Sequence, residues 1–199
     1  MLWGIGGRLS QRVDGLLGEV RRLPSVGTFE IKERRQVEHI VYQMQNCWES
    51  FVREMILCSA TGYYSNRYGP VKSSLSSKIT SKEQAAAVLV SLYPRRRFEP
   101  DWYLSREAID AATRLQLSNL PDITAVLGAT PWPLDDLRSV RNFFAHRSKR
   151  AAKEVRALSW FNSAQSITIE NTCFDFDMTG NRRIESWGAF MKLAANQLI

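Results

Sequence analysis

Residues 37–56 read VEHIVYQMQNCWESFVREMI, and this stretch decides the fold. Val37, Ile40, Val41, Met44, Trp48, Phe51, Val52, Met55 and Ile56 recur at helical steps and trace one apolar face. The pattern predicts a helix from about residue 29 to about residue 60, stopping at Gly62. A helix that long with a single apolar stripe must pack against other elements, so a helical domain is expected.

The flanking sequence repeats the same signal. Upstream, Leu9, Val13, Leu16, Leu17, Val20 and Leu23 predict a first helix that ends before Pro24. Leu2, Trp3 and Ile5 precede it, interrupted by glycines and Arg8. Downstream, Tyr63, Tyr64, Tyr68, Gly69, Pro70 and a serine-rich run read as an irregular loop over residues 61–80. In that loop the tyrosines are assigned to packing rather than to base stacking. Helices are expected over 81–92 and over 105–118 with Ser105 as N-cap. A short helix follows, with Pro121 near its start and Gly128 past its end. Arg95-Arg96-Arg97 read as loop surface. Another helix begins near Leu134 and runs through the 140s. Ile167, Ile169, Phe174, Phe176 and Met178 alternate at period two, which allows a small β-hairpin around Asn171-Thr172 near the C-terminus. Ile184, Trp187, Phe190, Met191 and Leu198 predict a closing helix. The fold class is therefore all-α, and 199 residues fit a single domain.

Composition narrows the partners. The net charge of +7 favours polyanionic partners, nucleic acid or an anionic membrane surface, with nucleic acid preferred. Cys47, Cys58 and Cys173 are odd in number and form no CxxC pair, so a reducing cytoplasm fits better than a disulfide framework. His39 and His146 are the two histidines; without a Cys/His cluster, no metal site is expected. His39 lies beside the core stripe, where a structural role is expected. No signal-peptide pattern and no long unbroken apolar run occur, so no membrane association is expected.

Chemistry concentrates in residues 134–150, LDDLRSVRNFFAHRSKR. At about 100° per residue, Leu134, Leu137, Val140 and Phe144 cluster on one side of a helix. Asn142 and His146, four apart, lie roughly opposite, and Arg141 falls at the border. A neutral imidazole can take the proton of an RNA 2′-hydroxyl. A guanidinium can stabilise the negative charge of the pentacoordinate phosphorane. Arg141 and His146 are thus candidate catalytic groups, and Asn142 is placed to orient the imidazole. Arg138, Arg147, Lys149 and Arg150, with Lys153 and Arg156 beyond, are candidate RNA-phosphate contacts. A structural histidine and a solvated basic face are the plainer alternatives. One chain supplies one such histidine, whereas cleavage benefits from both a base and an acid; a two-fold homodimer would pair two copies.

Arg141-Asn142-Phe143-Phe144-Ala145-His146 resembles the R-N-x-x-x-H signature of the HEPN superfamily. Cys47-Trp48-Glu49-Ser50-Phe51-Val52-Arg53-Glu54 looks like the W-E-x-F-V-R-E segment of HEPN families suspected of ribonuclease activity. The segment around residues 108–127, with IDAATRLQLSN from Ile109 and ITAVLG ending at Gly128, resembles the one before the motif. The likeness spans roughly residues 35–150 of the single domain 1–199. It implies a HEPN-like helical bundle, a homodimer whose motifs share a cleft, and metal-independent endoribonuclease activity without a cofactor. It further implies a role as toxin or phage-defence effector beside an antitoxin or sensor protein. It matches Arg141 and His146 to the catalytic pair, Asn142 to the polar residue after the arginine, and Glu49 to an acidic residue on an earlier helix. An ion pair of Glu49 with Arg53 is the alternative for that residue. Some HEPN proteins lack nuclease activity, so a non-catalytic module binding nucleic acid or a partner protein is the competing reading. A DNA-binding helical protein is a third, without any recognition-helix signature.

Overall fold

The computed structural model describes residues 1–24, 29–75, 79–94 and 97–199. Among them the helices are α1 (Trp3–Arg21), α2 (Ile31–Ala60), α3 (Lys82–Ser91), α4 (Ser105–Arg114), α5 (Leu120–Leu127), α6 (Pro133–His146), α7 (Lys149–Arg156), α8 (Ile169–Cys173) and α9 (Arg183–Leu198). Two short strands, β1 (Tyr64–Asn66) and β2 (Gly69–Val71), pair antiparallel with Tyr64 opposite Val71. Among the described residues the fold is all-α apart from this hairpin and isolated bridges such as Ser73 with Leu117. Two units emerge: a first of residues 1–10, 48–131 and 192–199, and a second of residues 11–47 and 132–191. Helices α1, α2 and α9 are each divided between them.

In the first unit, Leu2, Ile5 and Leu9 of α1 are buried, as are Trp48, Phe51, Met55 and Ile56 of α2. Ala85, Leu89, Ala108, Ala111, Ala112, Ile123 and Leu127 from α3, α4 and α5 join them. Ser81 caps α3 by accepting from the Gln84 amide at 3.1 Å. Helix α4 begins at Ser105, but Leu104 rather than Ser105 stands at the cap. It ends at Arg114 because Gln116 turns left-handed, at φ 50°. The Arg53 guanidinium grips Glu99 through two bonds of 2.6 and 2.7 Å, and the Trp102 indole donates to the same carboxylate at 3.0 Å.

Three expectations change in this unit. Helix α1 starts at Trp3, running straight through its glycines. The end of the Ile199 side chain occupies the place a Cβ on Gly6 would take. The stretch read as an irregular loop contains the β1–β2 hairpin, whose turn is closed by the Tyr68 amide donating to Asn66 Oδ1 at 2.9 Å. Tyr63 and Tyr68 do not pack; they are 69% and 71% exposed. Of the Arg95–Arg97 run, Arg95 and Arg96 lie outside the described residues, and Arg97 is exposed.

In the second unit, Val13, Leu17 and Val20 of α1, with Val37, Ile40, Val41 and Met44 of α2, are buried. So are Leu134, Leu137, Val140 and Phe144 of α6, and Ile184, Trp187 and Met191 of α9. Gly188 lets α9 approach α1 closely: its Cβ would lie 2.8 Å from Leu17 Cδ1 and 3.0 Å from Val13 Cγ1. The hairpin expected around Asn171-Thr172 is instead helix α8. Ile169, Thr172 and Cys173, at helical steps, are buried, whereas Phe176 and Met178 are exposed. Thr168 caps α8 by accepting from the Asn171 amide, and Arg34 pairs with Glu170 at 3.2 Å. Beyond it, Asp177 organises a turn by accepting from Thr179, Asn181 and Ser186; these bonds hold its carboxyl down at about 2. His39 is exposed rather than part of the core.

Candidate active site

Helix α6 carries the motif as its helical phase dictates. Pro133 opens it, and Leu134, Leu137, Val140 and Phe144 are buried on one side. Arg141, Asn142 and Phe143 are half-buried, and His146, the last residue of the helix, is exposed. The helix stops because Arg147 adopts a left-handed conformation, φ 43° and ψ 32°, with its amide donating to the Phe143 carbonyl at 2.8 Å. That conformation costs a non-glycine residue roughly 1–2 kcal/mol. Two contacts hold it: the Arg147 guanidinium donates to Glu38 of α2 and stands 6.0 Å from the Phe143 ring centre.

The Arg141 guanidinium lies over the Tyr42 ring of α2, 5.4 Å from its centre, and donates to Asn142 Oδ1 at 3.1 Å. Its Nε is buried and finds no hydrogen-bond partner among the described residues. A guanidinium carries five N–H donors, and the bond to Asn142 takes one of them. Burial pushes the Tyr42 phenol above its ordinary range; Arg141 opposes that shift and neighbouring Glu38 adds to it. Tyr42 therefore faces Arg141 as a neutral aromatic surface.

Asn142 bonds Arg141, and among the described residues no hydrogen bond joins it to His146. The expected orientation of the imidazole by Asn142 is absent from the single chain. Glu49 lies in the first unit, half-buried and seven residues further along α2 than Tyr42. Arg53, the alternative partner for Glu49, commits its guanidinium to Glu99.

The basic residues separate into two groups. Arg138 is half-buried and lies 3.6 Å from Asp135; Arg147 is tied to Glu38. Immediately after the motif, Ser148 caps α7 by accepting from the Ala151 amide at 3.2 Å. Ala151, Ala152 and Val155 of α7 are buried, which leaves Lys149, Arg150, Lys153 and Arg156 exposed. Arg150 reaches Glu154 at 3.5 Å, an exposed pair of little energetic weight. Among the described residues, no ion pair engages Lys149, Lys153 or Arg156.

Sequence reading missed Tyr42 and Glu38. Both sit on α2 outside its apolar stripe, and only the packing of α2 against the end of α6 shows their role. Among the described residues, no group of three or more His, Cys, Asp or Glu is placed to hold a metal ion. No helix among them is long and apolar enough to cross a membrane. Set against protein-family profiles, curated proteins and solved structures, the chain finds no match. What stands is an all-α chain with an arginine–histidine helix end flanked by a basic helix.

Proposed function

We propose that this chain is a metal-independent endoribonuclease of the HEPN type, acting in the cytoplasm as a homodimer and serving as a toxin or phage-defence effector. The observation that carries this reading is the end of α6: an exposed imidazole five residues after a half-buried guanidinium that lies over the Tyr42 ring. Both are set apart from the helix's buried stripe. Helix α7 then supplies unpaired cations at the same end, suited to RNA phosphates.

In this reading the chemistry is carried by side chains of two copies of the chain. His146 takes the proton from the 2′-hydroxyl, and the resulting oxygen attacks the adjacent phosphorus. Arg141 neutralises the charge gathered on the non-bridging oxygens. The bond from phosphorus to the 5′-oxygen breaks, and a proton passes to that oxygen from the second histidine of the dimer. The products are a 2′,3′-cyclic phosphate and a 5′-hydroxyl. Tyr42 acts as a positioning residue, setting the plane of Arg141. In a toxin, an antitoxin or sensor protein would control access to this end of α6.

The absence of an Asn142–His146 bond favours one competing reading, a non-catalytic HEPN module that binds nucleic acid or a protein partner. Purified protein separates the two. Cleavage of RNA in excess EDTA that disappears in His146→Ala, with helical content retained, supports the nuclease. Cleavage that requires metal, or survives in His146→Ala, overturns it.

A further inference from the structure

The hairpin of the first unit builds a second feature that the α6 site does not use. The Leu2 amide donates to the Ser65 carbonyl at 3.1 Å, fixing the start of α1 beside β1. This places Trp3, 61% exposed, near the strand turn that carries Arg67 and the equally open Tyr68. The Arg67 guanidinium lies 5.5 Å from the Tyr68 ring centre and donates to the Asn196 carbonyl. A guanidinium has five N–H donors, so most remain available.

Two hollows meet at Arg67. One, of about 520 Å³, is walled by Trp3, Asn196 and Ile199 and floored by exposed Gly7, which offers bare backbone. The other, of about 390 Å³, is lined by Tyr68, Asp122 and Gln197. The combination is specific in kind: open aromatic faces to stack on, one cation between them, and amide side chains able to bond base edges. Unpaired nucleobases joined by phosphate satisfy all three, whereas an apolar ligand would leave the cation and amides without partners.

We propose that Trp3, Arg67 and Tyr68 form a second RNA-binding site, which holds single-stranded substrate by stacking its bases. This rests on the reading that the chain acts on RNA, and it names the substrate form as unpaired rather than duplex. Arg67 contacts the intervening phosphate, and the glycine floor gives the base clearance beside Trp3.

The test measures binding alone. A short fluorescein-labelled single-stranded RNA with 2′-O-methyl riboses cannot be cleaved by its own 2′-oxygens, and its anisotropy reports affinity. Trp3→Ala and Tyr68→Ala are each expected to bind it at least about fivefold more weakly, the lower end of the effect of losing one stacked base, and Arg67→Gln is expected to weaken binding through the lost phosphate contact. Gly7→Leu fills the floor, where an added Cβ meets nothing within 4 Å, and is expected to weaken binding without removing an aromatic ring. All four positions are exposed or half-open, and circular dichroism confirms the fold of each variant. Unchanged affinity in Trp3→Ala and Gly7→Leu overturns the site, as does equal affinity for duplex RNA. Loss of binding to anionic lipid vesicles, with RNA binding intact, also overturns it. If wild-type protein binds the probe at this site but never cleaves natural RNA, the nuclease reading fails and the site stands.

Discussion

Replacing Tyr42 by leucine removes the aromatic face beneath Arg141 while keeping an apolar side chain of moderate size. The guanidinium lies 5.4 Å from the ring centre, inside the range of cation–π attraction. Such a contact is worth about 0.5–1 kcal/mol when exposed and about 2 kcal/mol when desolvated. Arg141 is half-buried with an enclosed Nε, so the effect belongs in the upper half of that span. If the contact orients Arg141 for the transition state, losing about 1–2 kcal/mol lowers kcat/KM roughly five- to thirtyfold. The assay is cleavage of a fluorogenic RNA in excess EDTA, with thermal melting to establish that the variant is folded. Tyr42→Phe keeps the ring and is expected to stay within about twofold of wild type, because the attraction comes from the π-face. Equal losses in the Phe and Leu variants would refute the reasoning, since the hydroxyl would then carry the effect. A harmless Tyr42→Leu would refute it as well.

Other expectations concern stability. Arg53 lowers the Glu99 carboxyl below its ordinary value, so the pair stabilises the fold above the unfolded-state pKa of about 4.3. That contribution vanishes as pH falls through the lower folded value. Glu99→Gln should cost about 1 kcal/mol at neutral pH, with the melting difference from wild type closing in acid. Gly188→Ala should destabilise by about 1 kcal/mol in urea unfolding: overpacking against Leu17 and Val13 exceeds the helical gain of alanine over glycine. Gly15→Ala, with nothing within 4 Å, should instead stabilise by up to about 1 kcal/mol.

Where periodicity was strong, the fold was legible: the stripe from Val37 to Ile56 lies within α2, and every one of its residues is buried. It was misleading where a short run fits two periods. Ile167 and Ile169 suggested alternation, yet Ile169, Thr172 and Cys173 bury at helical steps, and a Thr168 cap decides for α8. The β1–β2 hairpin escaped because its strands are three residues each and its turn depends on Asn66 and a positive φ at Gly69. At the site, the phase of α6 could be read directly, and it places His146 outward. The partners of Arg141 and Arg147 could not, because Tyr42 and Glu38 are about a hundred residues away and reach them only through packing.

The proposition beneath the nuclease reading is that two copies bring their α6 ends together. Ala145 is exposed beside His146, and Cys47, Cys58 and Cys173 are buried, so a spin label on Ala145→Cys attaches selectively. Pulsed dipolar spectroscopy on the labelled protein then measures the separation of the two motifs. A single short inter-label distance in a dimer is the predicted result. A monomer, or a dimer whose labels lie on opposite sides, would contradict it.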